Sequence, residues 1–189
     1  TIEVVAQYEL DGFFIDAEAE YKRSGSATWA ATYTNGIRAA LPSLPLGLCS
    51  YRFPSLHPEL PWGVFLSRCD FHAPQVYWEF SHNPQYQLQR SVNELTALKQ
   101  LPVIPLGSAY ARGGWYPTVG DLDSFNGTAQ QLNLPGISWW SWQHAEQVLD
   151  WWSAISAHEW MEPPPPPLTL EQRETNLETE ARAHGWNIP

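Results

Sequence analysis

Cysteine is scarce in this chain, basic residues are few and no long apolar run occurs. Each shortage closes off a class of function. Two cysteines, Cys49 and Cys69, cannot build a disulfide framework, which leaves either one bridge between them or two separate core thiols. The six histidines lie far apart and no Cys-x-x-Cys occurs, so the pattern calls for no metal and no cofactor. Ten Lys and Arg against twenty Asp and Glu give a formal net charge of -10, which repels a phosphate backbone and argues against a nucleic-acid partner. No segment reaches the ~18 apolar residues of a membrane span, and no signal peptide is found.

What is present suits a globular core: 43% hydrophobic and 16% charged residues. Short apolar strands over 12–18, 46–51, 71–78, 103–109 and 136–142 alternate with helical stretches over 27–40, 83–99 and 122–132, and a further helix is expected over 146–161. In the second helix Leu88, Val92, Leu95 and Leu98 recur at helical spacing and give it one apolar stripe. Five strand-then-helix units of this kind predict an α/β protein with a parallel sheet. Upstream, Val4, Val5 and Tyr8 share helical spacing. The organisation changes at Pro163 to Pro167, five consecutive prolines that favour an extended spacer. The expected division is therefore a main domain over 1–162, a polyproline linker over 163–168 and a helical tail over 169–189, where Thr169 and Gln172 form a capping box.

One stretch carries most of the chemistry. In "LDGFFIDAEAEYK" the side chains of Phe14, Asp16, Glu18 and Glu20 fall on one face of a strand, and Ile15, Ala17 and Ala19 on the other. Carboxylates stacked along an apolar strand lose water at a cost of several kcal/mol unless they are paired or serve chemistry. Phe14 shares their face and is expected to lie deeper, in contact with an aromatic residue of the last strand.

The run Leu10, Asp11, Gly12, Phe13, Ile15, Asp16, Glu18 resembles the fourth-strand signature of glycoside hydrolase family 18, the chitinase-type barrels. It departs at Phe14, where that family has an acidic residue. The Asp-x-Glu pair is also similar to family 25, the lysozyme-type muramidases. "DFHAPQVYWEF" resembles the sixth strand of family 18, where a Tyr points into the sugar site, and "GISWWSWQHA" resembles the last strand, where a Trp floors it. The resemblance covers residues 10 to 145.

This resemblance implies a (β/α)8 TIM barrel, of which the chain supplies the last five strand-helix units, with the helical tail appended. It implies a hydrolase of an N-acetylated glycan of chitin or peptidoglycan type. Glu18 would be the acid/base and Asp16 would orient the substrate's own acetamido group as nucleophile, with Tyr77 holding that group. Neighbouring carboxylates resist joint ionisation, so one can stay protonated near neutral pH. Tyr51, Gln75, Tyr110, Trp142 and Glu20 complete the expected substrate-binding set, although Glu20 falls past the strand end. Alternation places Trp140 and Trp142 on one face and Trp139 on the other, so Trp142 is expected in the site and Trp139 beneath the helices. Tyr110, Trp115 and Tyr116 lie on a Gly-containing loop at the active face.

Two other classes stay open. Phe14 favours a carbohydrate-binding barrel without turnover, and the proline spacer and acidic tail favour a structural or assembly module, in which the carboxylates would cap helices or pair with Arg52 or Arg112. The partner expected is a polysaccharide or glycan, and an extracellular or cell-envelope site is favoured. A fourth-strand signature so early in the chain also leads us to expect an N-terminal barrel portion carrying three further units, in the same or another chain.

Overall fold

Leu46, Gly47, Leu48, Cys49 and Ser50 are all buried, as an interior strand of a parallel sheet, paired on both sides, is expected to be. A computed structural model of the chain describes residues 2–8, 10–158 and 160; the expected linker over 163–168 and helical tail over 169–189 lie outside the described residues. The strands are β1 (Phe13–Asp16), β2 (Leu46–Tyr51), β3 (Phe71–Val76), β4 (Leu106–Ser108) and β5 (Ser138–Trp140). All neighbours pair in parallel, in the order β1-β2-β3-β4-β5. Helix α1 (Ile2–Tyr8) precedes β1, where helical spacing places it. Helices α2 (Ser26–Ala40), α3 (Trp62–Leu66), α4 (Pro84–Leu98) and α5 (Val119–Gln131) occupy the crossovers, and α6 (Trp142–Ala145) and α7 (Leu149–Ser156) follow β5.

Strand order decides between the two common parallel architectures. A doubly wound sheet reverses its order at a switch point, and this sheet never does. Right-handed crossovers then return the helices to one face, and the five strand-helix units form a stretch of TIM-barrel wall. Ile15, Ala17, Leu46 and Leu48 face those helices and pack with Ala30 and Ile37 of α2, Phe65 and Leu66 of α3, and Leu95 of α4. The opposite residues of each strand line the concave face.

Four strands, β1, β3, β4 and β5, are shorter than their apolar patterns predict, and for β4 and β5 the reasons are local. Pro105 has no N–H to give to the ladder, so β4 begins only at Leu106 and Val103 keeps an isolated bridge to His72. Past Trp140 the chain turns into α6, so Trp142 is helical and not on the strand. Helix α5 starts three residues earlier than expected because Thr118 and Asp121 close a capping box ahead of it.

Two glycines hold the layers at their spacing. A Cβ on Gly47 would lie 2.2 Å from the Phe71 ring, and one on Gly107 would lie 2.6 Å from Trp139 and 2.9 Å from Phe125. Phe125 is fully buried and meets both Trp78 and Trp139 in ring contacts, so the site at Gly107 has little room to yield. We expect Gly107→Ala to destabilise the domain by about 1–3 kcal/mol through overpacking. Urea denaturation would register this as a lower midpoint with an unchanged slope; an unchanged midpoint would mean that the two rings are not held as described.

Candidate active site

In-register pairing joins Phe14, Gly47 and Phe71 in one row of the concave face, Asp16, Cys49 and Ala73 in the next, and Tyr51, Gln75, Leu106 and Ser138 above them. The Phe71 ring crosses the space left open by Gly47 and meets Phe14 edge-on, with centroids 5.4 Å apart. Phe14 thus lies on the carboxylates' face, but its ring partner is on β3 and not on the last strand.

Gln75 ties the upper rows together. Its amide nitrogen donates to Asp16 Oδ1 at 3.0 Å and to Glu18 Oε1 at 2.7 Å. One neutral donor therefore holds both carboxylates, and among the described residues neither forms an ion pair with a Lys, Arg or His. Burial raises the Asp16 pKa above the ordinary carboxylate range, and the nearby charges of Glu18 and Glu20 push the same way, while hydrogen bonds from Cys49 and Gln75 oppose them. Burial likewise pushes the Cys49 thiol up to about 12, so no thiolate nucleophile is available near neutral pH. Burial raises the Tyr77 phenol too, with Cys49, Tyr110, Asp16 and Glu18 adding to it. Tyr77 is therefore a neutral hydroxyl beside two acids.

These groups border two adjoining cavities. One, of about 500 Å³, is lined by Phe14, Asp16, Glu18, Cys49, Gln75, Tyr77 and residues of β4 and β5. The other, of about 430 Å³, is lined by Tyr51, Arg52, His57, Glu79, Tyr110, Arg112 and neighbours. Gln75, Tyr77 and Trp140 belong to both. A largely apolar, aromatic-walled cleft that also presents carboxylates can bind a sugar and move a proton to it.

Of the residues expected from sequence, Asp16, Glu18, Gln75 and Tyr77 come together in the larger cavity, and Tyr51 and Tyr110 line the smaller one. Glu20 lines neither: its carboxylate accepts the Glu18 backbone N–H at 3.0 Å. Trp142 lines neither and is 63% exposed on α6, whereas Trp140, one alternation earlier, lines both cavities. Trp139 packs against Trp78 and Phe125 on the helix side, as alternation requires. In the Gly-containing loop Trp115 is buried and its indole donates to Ser81 O at 2.9 Å, whereas Tyr116 is exposed.

Glu79 was not anticipated, yet it continues the alternation Gln75, Tyr77, Glu79. It accepts hydrogen bonds from the Tyr110 hydroxyl and from Arg112, whose Nη1 lies 3.2 Å from each carboxylate oxygen. Arg112 is thus committed to Glu79 and not to the catalytic candidates. Arg52 and His57 sit in the irregular connection after β2, where no periodicity could reveal them. Among the described residues no group of three His, Cys, Asp or Glu side chains is placed to hold a metal ion.

A pH signature follows. The folded chain holds the Asp16 proton more tightly than the unfolded chain does, so this group's contribution to stability is largest below the unfolded pKa and falls as pH rises through the interval up to the folded one. In Glu18→Gln one of the two repelling charges is gone while the Gln75 bond can persist, so the Asp16 titration should move down. Carboxyl carbon NMR of both proteins measures this; an unmoved Asp16 midpoint would show that the two groups do not sense each other.

No family model and no curated protein matches the chain. Among solved structures it is similar to bee venom hyaluronidase in complex with a hyaluronic acid tetramer, at 13% identity over 70% of this chain and 49% of that chain, with a TM-score of 0.49. A monoclinic crystal structure of bee venom hyaluronidase is similar at 15% identity over 68% of this chain and 49% of that chain, with a TM-score of 0.45. The chain spans about half the length of these structures. At such scores the likeness assigns no residue a role, and the TIM-barrel type of this chain stands on its strand order and register.

Proposed function

We propose that this chain carries the active face of a glycoside hydrolase acting on an N-acetylated glycan of chitin or peptidoglycan type. The observation that carries this reading is the pair Asp16 and Glu18 held by the Gln75 amide on the floor of a cleft walled by Tyr77 and Trp140. Glu18 protonates the leaving oxygen and later activates water. Asp16 orients the substrate's acetamido group, whose oxygen attacks the anomeric carbon, and Tyr77 donates to that group as a neutral hydroxyl. Trp140, 56% exposed, offers a flat apolar face to a pyranose ring.

A carbohydrate-binding barrel without turnover is the second reading, and Phe14 favours it. Phe14 stands below Asp16 and brings a ring where a third carboxyl would share a proton, so the acidic neighbours of Asp16 are Glu18 and Glu20, both past the end of β1. Binding of glycan without release of reducing ends would select this second reading.

The sheet itself supports one more proposal. Among the described residues β1 and β5 each have a partner strand on one side only, and Phe14 and Trp140 remain 44% and 56% exposed. Open strand edges recruit other strands. Three further strand-helix units, in the same or another chain, would close the cylinder.

Three outcomes are expected. Glu18→Gln should lower glycan cleavage by about 10² to 10⁴ while leaving binding in place, and full turnover by the purified variant would remove Glu18 from its role. Asp16→Asn should lose a similar factor on acetylated substrates, and equal cleavage of a non-acetylated analogue would contradict acetamido participation. The 189-residue chain alone should self-associate and bind an apolar dye, as measured by sedimentation and fluorescence; a dye-free monomer would speak against the missing units.

A further inference from the structure

The smaller cavity contains more positive charge than a neutral sugar needs. This is unexpected in a chain of net charge -10 with only ten Lys and Arg. Arg52 is half-buried in its wall. One of its terminal nitrogens donates to the Tyr77 backbone carbonyl at 2.5 Å, and its guanidinium lies 5.1 Å from the centre of the Phe53 ring. Its Nε is buried without a hydrogen-bond partner, and among the described residues Arg52 forms no ion pair.

The neighbouring charges do not complete it. Glu79 already accepts from Tyr110 and Arg112. At the rim Lys22 Nζ lies 2.6 Å from His57 Nδ1 and 4.2 Å from the centre of the Tyr51 ring, while His57 and Tyr51 stack with centroids 3.6 Å apart. Burial and the Lys22 charge hold the His57 pKa below its ordinary value, so a neutral imidazole accepts a hydrogen bond from the Lys22 ammonium, which keeps its proton and its charge. Two arginines thus line the cavity with Glu79, the one carboxylate in its wall, which Arg112 already engages, and Lys22 lies behind the stacked rings of His57 and Tyr51.

We infer that this cavity is a subsite for a carboxylate-bearing sugar, with Arg52 as the residue that recognises the acid, next to the N-acetylated sugar cleaved at Asp16 and Glu18. The inference rests on the glycosidase reading and narrows its substrate to an acidic glycan. The aromatic rings receive the sugar ring and the planar guanidinium receives its carboxylate. A uronic acid and a lactyl ether present the same carboxylate chemistry, and the test separates them.

Binding is measured by calorimetry at low salt in a Glu18→Gln background, so that cleavage does not intrude. The probes are a tetrasaccharide alternating N-acetylglucosamine with glucuronate, one alternating it with N-acetylmuramate, the carboxyl-reduced form of each, and chitotetraose. We expect at least one acidic probe to bind roughly ten-fold or more tightly than its reduced form, and the probe that does so names the source of the acid. Arg52→Gln should abolish the difference and Arg52→Lys should restore only part of it, with circular dichroism confirming the fold. The comparison of acidic and reduced probes needs no substitution at Arg52, so it stands even if that variant fails to fold. Equal binding of acidic, reduced and neutral probes would overturn the inference and leave the glycosidase reading intact. Discrimination that survives in a folded Arg52→Gln would remove Arg52 from the role. No binding of any probe would overturn the glycosidase reading along with it.

Discussion

In-register parallel pairing commits alternate residues of every strand to opposite faces, and in this sheet that parity places everything else. Once Ile15, Leu46 and Leu48 are drawn into the helix layer, Phe14, Asp16, Cys49 and Gln75 have no choice but the concave face. A slip of one residue in β1 would bury Asp16 among apolar side chains at a cost of several kcal/mol. The hydrophobic layer on one side therefore enforces the polar arrangement on the other.

That polar arrangement is held by hydrogen bonds from neutral groups and not by ion pairs. A cation between Asp16 and Glu18 would fix both as permanent anions, whereas a single amide holds their geometry and leaves the proton count free to change. The arginines nearby are held away from the pair, Arg112 by Glu79 and Arg52 through one nitrogen by the Tyr77 carbonyl. Positive charge thus gathers in one cavity and titratable acid in the next, with Gln75, Tyr77 and Trp140 as the shared wall.

Much of this was legible in the sequence because it obeys a period of two. Alternation alone sorted Phe14, Asp16 and Glu18 from Ile15 and Ala17, and Trp140 from Trp139. The five strand-helix units followed from apolar runs separated by helical stripes. Strand ends were harder to read: Pro105 shortens β4, and α6 takes Trp142 off the strand, because backbone donors and local turns override an apolar pattern. Glu79 obeys the same alternation as Gln75 and Tyr77 and was legible in the same way. His57 was not, and Arg52 was read only as a partner for the carboxylates, since their places depend on an irregular loop beside Tyr51, which no spacing encodes.

The two cysteines have a consequence of a different kind. Cys49 lies under the carboxylates in the wall of the larger cavity, and Cys69 belongs to the core packed between sheet and helices. Both are unpaired and buried, and both thiols are pushed up to about 12. A thiol reagent reacts readily with either one only when the structure opens and lets the sulfur ionise as it would in water. The chain thus contains its own pair of clocks, one timing the breathing of the concave face and the other timing loss of the helix-covered core, and the ratio of their modification rates separates a local opening from the unfolding of the whole wall.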